Sequence, residues 1–154
     1  MMKTLLLGLI CFLLTSCQKS NVKFPEWGSS GDVGFAMNIN QLAGGKAINC
    51  GFFELLHRSK PTNYSDGFQC AMKAYKKGLP FKLGTLTIPI DSYSYEAFLY
   101  SEGGRFLEVN FDAQEGFNGN HYLLWTNQCE AFEFDSNKKQ ILGINCEKIS
   151  EYSW

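Results

Sequence analysis

Residues 63–88, NYSDGFQCAMKAYKKGLPFKLGTLTI, change period halfway along, and that change decides the fold. In the first half Phe68, Ala71, Met72 and Tyr75 recur at i, i+3, i+4 and i+7, which draws one apolar stripe along a helix. Asn63 or Ser65 can cap its start, Lys76 and Lys77 suit the negative end of its macrodipole, and Gly78 is placed to stop it. After Pro80 the period falls to two. Phe81, Leu83, Thr85 and Thr87 alternate with Lys82, Gly84, Leu86 and Ile88 until Pro89, the pattern of a strand.

Downstream the period of two continues. Residues 93–100 and 105–111 read as strands joined through Ser101-Glu102-Gly103-Gly104, where glycine supplies positive φ. Residues 121–126, 130–135 and 140–147 read as three more, with Ser136-Asn137-Lys138-Lys139 as a turn. Sequential strands after one helix predict an α+β fold, with one main helix packed on an antiparallel meander sheet. Aromatics on both faces of 93–100 predict one face under that helix and a partly exposed apolar strip on the other. Upstream, residues 35–60 are ambiguous: Phe52, Phe53, Leu55 and Leu56 suit a short helix face, but Cys50-Gly51 looks like a break.

The N-terminus is a basic, apolar and small-residue series. Lys3 precedes Leu5, Leu6, Leu7, Leu9, Ile10, Phe12, Leu13 and Leu14, which as a helix would rise about 15 Å, half of the roughly 30 Å bilayer core. A cleaved export signal fits that length better than a membrane span. Leu14-Thr15-Ser16-Cys17 resembles the lipobox of bacterial lipoproteins. The resemblance implies cleavage before Cys17, attachment of a diacylglyceryl group to its thiol, acylation of the new amino terminus with a palmitate-like chain, and a membrane anchor through that lipid. Each buried methylene adds about 0.8 kcal/mol, so two or more chains make release negligible. Gln18 stands where the family's inner-membrane retention signal has aspartate, which implies an outer-membrane anchor with the domain facing the periplasm. The expected division is a signal peptide over 1–16, a polar tether over 17–34 carrying Phe24-Pro25-Glu26-Trp27 as a piece able to dock, and a single domain over 35–154.

Of six cysteines, Cys11 falls in the signal and Cys17 in the lipobox, leaving Cys50, Cys70, Cys129 and Cys146. An even set in an exported domain predicts disulfides. Three connectivities are possible. Proximity in sequence favours Cys50 with Cys70 and Cys129 with Cys146, each stabilising by about 3 kcal/mol. The spacing lacks the CxxC pattern of zinc sites, so no metal is expected.

Little chemistry is announced. The chain carries a formal charge of −1, and losing Lys3 makes it more acidic, which argues against nucleic acid as a partner. His57 and His121 are the two histidines, and no HExxH, GxSxG or GxxxxGK[ST] signature accompanies them. No catalytic residue and no cofactor is assigned. Residues 112–118 offer oxygen ligands but miss the EF-hand spacing. Asn63-Tyr64-Ser65 matches a glycosylation acceptor and reads more simply as a helix start. The series Cys50-Gly51, Cys70-Ala71, Gly78-Leu79-Pro80-Phe81 and Ile90-Asp91-Ser92 resembles small exported bacterial proteins of unknown function over residues 49–112. It implies a helix followed by a sheet, and no activity. The expectations, in order, are a non-catalytic envelope module that binds a protein or polymer, an inhibitor or immunity-type lipoprotein that neutralises a hydrolase, and a small hydrolase using His57 or His121.

Overall fold

In the computed structural model, which describes residues 33–56, 61, 63–88, 92–116 and 119–153, a six-stranded sheet is packed on both faces. The elements are α1 (Val33–Ala43), β1 (Ile48–Leu56), α2 (Tyr64–Lys76), β2 (Phe81–Ile88), β3 (Ser92–Tyr100), β4 (Phe106–Gly116), β5 (Gly119–Cys129), β6 (Ala131–Asp135), β7 (Gln140–Ile144) and β8 (Glu147–Ser153). The large sheet runs β1-β2-β3-β4-β5-β8, and β6-β7 form a separate two-stranded hairpin. The α+β class stands, with two helices described where the sequence marks one.

The helix read from 63–78 is α2. Asn63 precedes it, but its side chain makes no capping hydrogen bond. Its backbone oxygen accepts from the N–H groups of Asp66 and Gly67, so the helix grows out of a turn begun at Pro61. At the other end Leu79 N–H donates to the Ala74 oxygen and Gly78 N–H to the Tyr75 oxygen, with Gly78 at φ +64, a Schellman stop.

The sheet is not a pure meander. β1 and β2 are joined through α2 and pair in parallel, because a crossover helix returns the chain in the same direction. From β2 to β5 every pairing is antiparallel. β1 escapes a period-two reading through a bulge between Asn49 and Phe52, where Gly51 sits at φ +106 and its N–H donates to Asn49 Oδ1 at 3.0 Å. The strand expected over 140–147 is two strands, since Asn145 at φ +48 turns the chain from β7 into β8.

Two apolar clusters lie on opposite sides of the sheet. On one, Phe35, Ile39 and Ala43 of α1 meet Phe52, Leu86, Tyr95, Leu99, Val109 and Phe111. On the other, Phe68, Ala71 and Ala74 of α2, with Phe132 and Ile141 of the hairpin, meet Phe53, Phe81, Leu83 and Phe98. The partly exposed apolar strip expected on β3 is therefore absent: Tyr95, Ala97, Phe98 and Leu99 are all buried, because α1 covers the face that α2 does not. α1 also begins at Val33, inside the stretch expected to be tether. Its end is pinned to the β3-β4 turn, where Glu102 N–H donates to the Ala43 oxygen and Glu102 Oε1 accepts from Lys46 N–H.

Both close pairings of cysteines are present. Cys50 in β1 is bonded to Cys70 in α2, and Cys129 at the end of β5 to Cys146 just before β8. The first fastens the crossover helix to the sheet; the second closes the excursion through β6 and β7.

Candidate functional site

On the α2 side the sheet divides in two. Strand residues two apart share a face, so the pairing register places whole rows of side chains. Leu83, Phe98, Glu108, Asn127 and Lys148 form one row across β2, β3, β4, β5 and β8. Thr85, Glu96, Asn110, Trp125 and Glu151 form the next, and Thr87, Ser94, Asp112 and Leu123 the third. The apolar end of this face, from Phe81 to Phe106, lies under α2 and the β6-β7 hairpin. Beyond Phe98 the face turns polar.

Glu96, Glu108, Asn110, Asp112, Trp125 and Asn127 are each half-buried. Glu108 is held from both sides: Asn110 Nδ2 donates to its Oε1 and Asn127 Nδ2 to its Oε2, both at 3.4 Å. At the rim Lys148 pairs with Glu151. Tyr64, the first residue of α2, is buried beside this row, and its hydroxyl is pushed up to about 12, first by burial and then by the charge of Glu96. The phenol therefore stays protonated throughout the physiological range. The result is a surface of carboxylates and amides around one indole. Such a surface recognises by hydrogen bonding and stacking.

The sequence-marked residues fall elsewhere. Cys17, the signal segment and residues 24–27 lie outside the described residues, as does His57. His121 is in β5, paired with Gln114, and its side chain is outside the description. Glu108, Cys129 and Cys146 gather atoms of metal-ligand type. The two sulfurs are bonded to each other, so neither is a thiolate able to hold an ion. Among the described residues no helix is long and apolar enough to cross a membrane. The polar rows escaped the sequence reading because Glu96, Asn110 and Trp125 come from three strands and only the register aligns them. No family model, curated protein or solved structure matches the chain.

Proposed function

We propose that this chain is a non-catalytic binding module, anchored at a cell envelope through lipid on Cys17, with α2 as its main helix and the polar rows of the large sheet as the docking face for an envelope protein or polymer. The carrying observation is the division of the α2 face. Its apolar half is filled by α2 and the hairpin, while its other half presents Glu108, Asn110, Asn127 and Trp125 on backbone fixed by strand pairing. A surface held by strands loses little conformational freedom on binding, so more of its contact energy appears as affinity. The lipobox-like Leu14-Thr15-Ser16-Cys17 supports the anchor.

Two measurements test the reading. Metabolic labelling with an alkyne fatty acid should mark the wild-type chain and hold it in the membrane fraction, whereas Cys17→Ser should lose both; an unlabelled wild type rejects the anchor. Photo-crosslinking in intact envelopes should capture a saturable component through the face, and Asn110→Arg with Trp125→Ala should abolish capture while leaving the melting temperature within about 4 °C. Undiminished capture by that variant rejects the face, and no capture by the wild type rejects the module.

A further inference from the structure

Five lysines gather where the C-terminal half of α2 meets the β6-β7 turn. Lys73 and Lys76 lie in the last turn of the helix and Lys77 at its cap, all three exposed. Lys138 and Lys139 belong to the turn after β6, and packing seats that turn against the same helix. Lys139 Nζ lies 5.8 Å from the centre of the Phe68 ring, Ser136 Oγ lies 3.9 Å from Met72 Sδ, and the Tyr75 and Phe134 rings are 5.1 Å apart. Phe68, Met72 and Lys76 recur at every fourth position, so the turn runs along the helix row that ends in Lys76.

The patch is positive in a chain that is not. Glu133 and Asp135 are the carboxylates of β6. Asp135 pairs with Lys138 at 3.9 Å, and its other oxygen accepts from the N–H groups of Asn137 and Lys138. The lysines outnumber these two by three, although the whole chain carries −1. Asp66 stands at the opposite end of α2, about 15 Å from Lys76 along the axis. The helix macrodipole accounts for Lys73, Lys76 and Lys77, but it gives no reason for two more lysines to be packed beside them. The other described lysines stand apart: Lys82 Nζ donates to Asn40 Oδ1 of α1, Lys46 follows α1, and Lys148 pairs with Glu151 in β8.

We infer that this patch rests on an anionic phospholipid surface, that of the membrane holding the lipid on Cys17. Five ammonium groups spread over a helix and a turn match a layer of phosphates rather than a single anion. An ammonium is a compact, strongly hydrated charge, which suits contact with a wet headgroup layer. Each lysine near such a surface raises partitioning about fivefold. Leu79, 42% exposed just beyond Lys77 and Gly78, adds an apolar side chain that can enter the headgroup boundary. The inference rests on the anchor proposed above. Residues 17–32 separate α1 from the lipid and span at most about 55 Å, so the membrane stays within reach and docking becomes an intramolecular step.

Lysine footprinting reads the contact. Full-length protein purified from membranes is reconstituted on vesicles of phosphatidylcholine alone, or with about one third phosphatidylglycerol. Brief acetylation with an N-hydroxysuccinimide ester is followed by mass spectrometry. Lys73, Lys76, Lys77, Lys138 and Lys139 should react at least about threefold more slowly on the anionic vesicles. Lys46 and Lys148 should be unchanged, and the protection should vanish in about 0.5 M salt. Equal labelling on both vesicles, equal protection of Lys46 and Lys148, or the same protection by soluble glycerol phosphate overturns the inference. K138Q/K139Q, in a surface turn, should weaken the protection of the three helix lysines at an unchanged melting temperature; undiminished protection there also overturns it. Flotation separates the two readings. A chain that floats with neutral vesicles and shows no labelling contrast keeps its anchor and loses the docking surface. One that floats only with anionic vesicles, with the same five lysines protected, loses the anchor and keeps the docking surface, and one that floats with neither loses both.

Discussion

Gly143 has no side chain because a disulfide occupies the space. A Cβ there would overlap both sulfurs of the Cys129–Cys146 bridge. Gly143→Ala should therefore leave free thiols in the purified protein and lower stability by about 2 to 4 kcal/mol, read by thiol titration and the urea midpoint; a closed bridge at unchanged stability refutes the clash. Gly67 is similarly confined, since a Cβ would meet the Phe53 ring and the Cys50 backbone oxygen, and backbone cannot swing aside. Tyr64 sets an alkaline limit. Its phenol ionises at about 12 in the fold and near 10 when unfolded, so stability is full below pH 10 and declines as pH rises from 10 towards 12. A displacement of this size is worth about 2 to 3 kcal/mol at most. Tyr64→Phe should remove that decline in denaturant curves taken on either side of pH 10, and an identical slope in the variant would assign the loss to other groups.

Elements differ in how far they can be read from their own residues. α2 and the β3-β4 hairpin are legible because their signals are local: a stripe with a glycine stop, and alternating residues around Gly103-Gly104. α1 is not. Gly34, Asn38 and Asn40 are poor helix formers, and the partners that hold it, Phe52, Tyr95 and Phe111, are far along the chain. Tertiary packing overrides weak propensity here, and the Phe35 ring, tilted against that of Tyr95 with centroids 5.1 Å apart, shows where the energy lies. Ile39→Ala, at a fully buried position, should cost about 2 to 4 kcal/mol in chemical denaturation; a cost under about 1 kcal/mol would mean that α1 is dispensable. The candidate face is illegible for a related reason. Asn110, Trp125 and Glu96 become neighbours through pairing, which the spacing of those residues along the chain does not encode.

At the scale of the whole molecule, stability is shared between two stapled regions. The bridges close separations of 20 and 17 residues, and each contributes about 3 kcal/mol by restricting the unfolded chain. Replacing all four cysteines by serine should remove about 6 kcal/mol, comparable to the total stability of many domains. Such a variant should be largely unfolded by far-UV circular dichroism at growth temperature, and a cooperative native-like melt would refute that dependence. Both sheet edges are also blunted against pairing with other chains. β1 carries its bulge at Gly51, and β8 carries Lys148 and Glu151 around a register shift opposite Thr126 and Asn127. The bridge from Cys129 to Cys146 makes the strands between them a covalent ring whose exposed tip contains Lys138. Trypsin cutting there would give two polypeptides on a reducing gel and one on a non-reducing gel. A nick in that lobe opens the ring without releasing β8, so the protein can be cleaved at its tip and still remain one molecule.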